Sequence, residues 1–240
     1  MFVRKSLKHI RKKNFEQHSG IGALFKEFIL GGQDGLVNVL GVILGIAVAT
    51  SDAKLVVIAG LAAAFAESFS MAAVAYTSAK AEEDYYESEK QREIYEVNNM
   101  PDVERKEVYD IYYKKGFRGK LLNNLTKTIV RNKKMWLNIM MREELGLSNQ
   151  FIHPVKSAVV VGLAAIIGSI IPLITFFFLP IKTAITGSLI ISAIALFVTG
   201  AIEGKLTVGH WIRKGIQLML IGMVAAGIGF LIGKLLGVSV

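Results

Sequence analysis

Charge is very unevenly spread along this chain, and that unevenness governs what it can fold into. Acidic and basic side chains are nearly absent from four long stretches and crowd into residues 80–150. A helix needs about 20 mostly apolar residues to cross the hydrocarbon core of a bilayer, and several stretches meet that length. The first expected span runs from about Phe25 to Thr50 and the second from Leu55 to about Ala79, with Ser51–Lys54 as a tight turn between them. The third begins near Pro154 and reaches Leu179, with a possible kink at Pro172, which membrane helices tolerate. The fourth covers about Lys182 to Ile202, and the fifth about Val208 to Leu236.

The second span has no Pro or Gly at its end and continues as AKAEEDYYESEKQREIYEV, so one long helix is expected to leave the membrane and run on into water. Asn98–Asp102 breaks it. Pro101 and the acids after it then open a helix to about Lys115. A third helical stretch follows from about Lys120 to Leu145, interrupted near Arg131–Asn132 and capped by Gly146. The expected class is an all-α membrane protein with five transmembrane helices and a three-helix cytoplasmic domain inserted between spans 2 and 3. Its expected divisions are a basic cytoplasmic arm at 1–24, spans 1–2 at 25–79, a metal-binding domain at 80–150 and spans 3–5 at 151–240. An N-in arrangement leaves only Lys54, Lys182 and Lys234, three of 28 basic residues, on the far side. The N-terminus and the inserted domain are therefore expected in the cytoplasm.

Composition excludes several functions. There is no cysteine, so disulfides, zinc ribbons, thiolate nucleophiles and iron–sulfur clusters are out. The net charge of +9 is read as Lys and Arg retained on the cytoplasmic side, not as a nucleic-acid surface. The basic N-terminus lacks the short apolar core and cleavage site of a secretory signal. No Glu-x-x-His occurs, the four His show no zinc spacing, and no phosphate-binding or nucleophile-elbow motif appears. An enzyme and an ATP-driven pump are both disfavoured, and no prosthetic group is expected.

The candidate chemistry lies in two places. Asp34 falls well inside the first span, where insertion scales charge a carboxylate roughly 2.5–3.5 kcal/mol. It marks an ion or proton path, or else caps a helix at headgroup level after Gly31–Gly32. Asn38, one turn on, could supply an oxygen. Gly31/Gly35 and Gly41/Gly45 let another backbone come close, either along a pathway or at a dimer contact. Glu67 and Met71 stand four apart in the second span and share a face. A carboxylate beside a thioether suits a borderline transition metal, although Met71 alone would read as packing or lipid contact.

In the inserted segment Glu93 and Glu96 stand three apart, as do Glu104 and Glu107, while Met140, Met141 and Glu144 fall within about one turn. Three helices folded together could aim these carboxylates and thioethers at one centre. Residues 80–110 carry eleven acids, so any single pair also reads as a solvated helix face.

The runs QDGLVNVLGVILG, ESFSMAAVAY and WLNIMMREELGL resemble the vacuolar iron transporter family, and the resemblance covers nearly the whole chain. It implies a homodimer with an ion path near the two-fold axis, exporting Fe²⁺ and often Mn²⁺ from the cytoplasm in exchange for protons. Zn²⁺ and Co²⁺ would also suit the ligands. It further implies Asp34 and Met71 as the intramembrane ion-binding pair. Glu93, Glu96, Glu104, Glu107, Met140, Met141 and Glu144 become the cytoplasmic metal-binding set. Some relatives carry a second-span carboxylate further upstream, where this sequence has Ala62-Ala63-Ala64, and Glu67 takes its place or does something else. The membrane would be the plasma membrane of a prokaryote or the vacuolar membrane of a eukaryote. The competing reading is a membrane-anchored metal sensor or receptor without transport.

Overall fold

The computed structural model describes residues 18–148, 152–206 and 209–237, all helix and turn. The expected arm at 1–17 lies outside them. In chain order the helices are α1 (His18–Thr50), α2 (Ala53–Asn99), α3 (Pro101–Lys114), α4 (Gly119–Val130), α5 (Lys133–Ile139), α6 (Pro154–Phe178), α7 (Ile181–Leu206) and α8 (Trp211–Leu236). Helix α5 passes directly into a π-helical turn over Met140–Glu144. Five helices, α1, α2, α6, α7 and α8, are long and apolar enough to cross a membrane. The five expected spans thus correspond to five candidate membrane helices.

The chain divides into two compact units. One holds the described residues up to Thr77 and those from Ile152 onward, and the other the segment from Ser78. In the first, α1 is the helix on which the rest pack. Its Val39, Ile43 and Ala47 meet Val56 and Ala64 of α2, Leu173 and Phe176 of α6 and Ala184 of α7. Leu36 meets Leu196 and Leu218, and Leu40 and Leu44 meet Ala226. Between bilayer and protein there is no hydrophobic drive, so helices associate through close packing and interhelical hydrogen bonds. Both devices are used. Gly31 and Gly35 lie against the backbone of Val161 and Ala165 in α6, Gly32 against Gly168, and Gly41 and Gly45 against Gly229 and Gly233 in α8. Both glycine pairs are thus spent on contacts within one chain. Ser188 donates to the Pro172 carbonyl at 2.8 Å and Thr175 to the Ala184 carbonyl at 2.9 Å, joining α6 to α7. Helix α6 runs unbroken through Pro172.

Turn chemistry sets the helix ends. Ser51 takes a positive φ of 52°, and Asp52 Oδ1 then accepts from the Lys54 and Leu55 amides, capping α2. Helix α2 continues for 47 residues without a break, as its sequence implied. In the second unit Val97, Val108, Ile129, Trp136 and Met140 form one apolar core fed by α2, α3, α4, α5 and the π turn. Gly116 (φ 98°) closes α3 and Gly146 (φ 66°) follows the π turn, conformations that side chains disfavour. The third inserted helix expected over 120–145 is split. Helix α4 ends at Val130, and Asn132 restarts the chain by accepting from the Lys134 and Met135 amides at 3.1 and 3.2 Å.

The glycine seam gives a direct test. A Cβ placed on Gly31 would stand 2.5 Å from the Val161 carbonyl oxygen, which belongs to rigid backbone. Gly31→Ala should therefore cost on the order of 1–3 kcal/mol, read as a lowered melting temperature of the detergent-purified protein. Gly22→Ala, where a Cβ meets open space, should melt like the wild type.

Candidate functional site

Polar side chains gather at two places, one in each unit. In the membrane unit Asp34 and Asn38 lie one turn apart on α1, and Glu67 and Met71 one turn apart on α2. The Asn38 amide Nδ2 donates to Glu67 Oε1, and the Asp34 carboxyl stands within hydrogen-bonding and coulombic reach of the same Glu67 side chain. The two acids picked out separately in the first and second spans are therefore neighbours. Asp34, Glu67 and Met71 are half-buried and Asn38 is exposed. Asn38 offers its N–H donor to Glu67, and this bond leaves its amide oxygen unengaged.

In the second unit the turn at Met100 folds α3 back beside the end of α2. The Met100 amide donates to the Glu96 carbonyl and the Glu104 amide to that of Met100. This reversal brings one carboxylate oxygen each of Glu93, Glu96 and Glu104 within 4.8 Å of one another, a spacing that one metal ion can bridge. Glu93 is 1 % and Glu104 3 % exposed. Each has a buried Oε2 without a hydrogen-bond partner. Carboxylates rarely stand buried and unpaired. An acceptor-only oxygen set suits a divalent cation, and the oxygen donors of Glu93, Glu96 and Glu104 supply it.

Electrostatics show the strain of this crowding. Burial, followed by the charges of Glu144 and Glu96, pushes the Glu93 carboxyl up to about 7. Burial, followed by Glu107 and Glu93, pushes Glu104 up to about 8. Glu144 is raised by partial desolvation and by Glu107 and Glu96, with Arg92 opposing. Glu107 and Glu144 thus act on the same cluster, and all five acids singled out by their spacing share one electrostatic neighbourhood.

The methionines divide. Met140 is fully buried and packs among Val97, Val108, Ile129 and Trp136. Met141 is 2 % exposed and stands outside that apolar group. The π turn was not foreseen. One residue is worth about 100° of rotation in an α-helix, so the wider turn resets the direction in which Glu144 points. Such bulges recur at functional sites. Arg92 was also missed. Its guanidinium lies 3.8 Å from Glu93 and 3.9 Å from Glu96, and its i, i+4 spacing to Glu96 was the available clue.

Raised carboxyls link metal binding to protons. Compared with an ordinary value of 4.5, the folded cluster holds protons that an unfolded chain would release. Its protonated form contributes stability that is complete below pH 4.5 and is lost as pH rises through 7 and 8. A cation must displace those protons. Calorimetric titration of the whole protein with Mn²⁺ at pH 7, in buffers of different ionisation enthalpy, should show release of about one proton or more per ion bound. Affinity should fall steeply from pH 8.5 to 6, and Glu104→Gln should flatten that fall. A pH-independent affinity would contradict the assignment.

Residues 25–234 match the family model described as the VIT family. The chain is 31% identical over 231 residues to "Vacuolar iron transporter 1" of Tulipa gesneriana, covering 95% of this chain and 94% of that one. It is 30% identical over 221 residues to "Vacuolar iron transporter 1" of Arabidopsis thaliana (91% and 88% covered). It is 30% identical over 239 residues to "Vacuolar iron transporter" of Plasmodium falciparum (95% and 88% covered). With matches of this extent across the membrane helices and the inserted segment alike, the chain belongs to the VIT family.

Proposed function

We propose that the protein carries Fe²⁺, and also Mn²⁺, out of the cytoplasm across the membrane in exchange for protons. The observation that carries this reading is the meeting of Asp34 and Glu67 across α1 and α2 at membrane depth. Two acids there are costly unless they serve an ion path. The acidic cluster of Glu93, Glu96 and Glu104, with Glu107 and Glu144 around it, gathers the ion on the cytoplasmic side. Asp34, Glu67 and Met71 then hold it during alternating access. Protonation from an acidic far side weakens the carboxylates as ligands and favours release. Relatives named vacuolar iron transporter support iron as the cargo.

The active form is a homodimer. Asn38 is exposed and Asp34, Glu67 and Met71 only half-buried in a single chain, and polar groups at membrane depth need cover by protein or a water-filled cavity. A second copy across a two-fold axis supplies that cover and makes the path. A sensor without transport would need the cytoplasmic acids alone, and would leave the intramembrane pair without a use.

The test is Fe²⁺ flux into proteoliposomes with and without a pH gradient. Gradient-stimulated flux is expected in the wild type and should be abolished in Asp34→Ala. Glu104→Gln should instead raise the half-saturating Fe²⁺ concentration while keeping much of the maximal rate. Unchanged flux in Asp34→Ala would remove Asp34 from the path. Absent wild-type flux with intact Mn²⁺ binding would favour the sensor.

A further inference from the structure

Glu67 is the single acid between Ala53 and Thr77, and its carboxylate is held from another helix. Glutamate has three side-chain torsions, and at membrane depth an unheld carboxylate has strong reason to swing toward water. Asn38 of α1 donates to its Oε1. The bond joins two helical pairs, Asp34/Asn38 on α1 and Glu67/Met71 on α2, and it fixes their register. An amide is well suited to this task. Lys or Arg would also hold the carboxylate, but would cancel the charge that attracts a cation, whereas an amide orients the group and leaves its charge in place. Asn38 is exposed in the single chain, so it does not fill that chain's core.

We propose that Asn38 is a positioning residue of the intramembrane ion site: it holds Glu67 Oε1 and so leaves Oε2 for the cation shared with Asp34 and Met71. The inference rests on the transport reading of those three residues and adds the group that sets their geometry. It assigns Glu67 a ligand role that depends on Asn38.

A double-mutant cycle tests it. Fe²⁺ flux is measured in proteoliposomes for wild type, Asn38→Ala, Glu67→Ala and the double variant. Asn38→Ala should raise KM roughly tenfold to a hundredfold, the range of a hydrogen bond to a charged group. Its maximal rate should stay within about twofold, and in the Glu67→Ala background it should have no further effect. The exchanged variant, Asn38→Glu with Glu67→Asn, restores a donor and an acceptor across the two helices and should recover part of the loss. Wild-type KM in Asn38→Ala, or independent multiplication of the two single effects, would overturn the proposal. A second measurement does not depend on transport. The chain has no cysteine, so Asn38→Cys with Glu67→Cys can be bridged by dibromobimane, which fluoresces when both ends react. Bridging supports the register. Absent bridging overturns it, whereas absent wild-type flux with bridging intact brings down the transport reading alone.

Discussion

The membrane unit depends on how closely other backbones can approach α1. Gly31, Gly32 and Gly35 admit α6, and Gly41 and Gly45 admit α8. These contacts occupy two flanks of the helix, on which Leu36, Val39, Leu40, Ile43, Leu44 and Ala47 are buried. The stripe carrying Asp34 and Asn38 is thereby left to meet α2. In lipid, where burying apolar surface gains little, backbone contact is the main source of cohesion. A polar site can be carried at low structural cost because the cohesion lies on the other flanks. The glycines therefore do more than join helices. They set which face of α1 remains for chemistry.

The two acidic sites solve the same electrostatic problem differently. Near Glu93 and Glu104 the carboxylates are crowded, buried and short of donors, with Arg92 at 3.8 Å as partial relief. Protons take up the excess there, as the values near 7 and 8 record. At Glu67 an uncharged amide is supplied by the neighbouring helix. In the proposed reading, exchange of protons for metal near neutral pH would suit capture from a dilute pool, and a carboxylate oriented by a neutral donor, with no counter-charge to give up, would suit the handling of one ion.

Much of the fold was legible because it follows from period and length. The five apolar stretches, the unbroken run of α2 into the polar segment, the break before Pro101 and the cap at Gly146 all follow from residue type and spacing. Spacing also singled out the acids, since i, i+3 pairs share a helix face. What spacing could not supply was partnership between helices. Gly31/Gly35 has the same pattern whether it meets α6 or a second chain, and only the fold decides for α6. Asn38 reads as an oxygen donor or an N–H donor until its neighbour is known. Met140 and Met141 are adjacent in sequence, yet Met140 belongs to the apolar core of the second unit. The π turn that holds both has no sequence signature comparable to a cap.

Glu67 shows what an acid inside a long apolar helix requires of its neighbours. Its long side chain would be left unguided unless α1 offered a group at the same level. Asn38, one turn beyond Asp34, is at that level, and the hydrogen bond shows that it reaches. The acid on α2 and the amide on α1 therefore form one unit. Changing either alone leaves the other without this partner, at a depth where unpaired polar groups are costly.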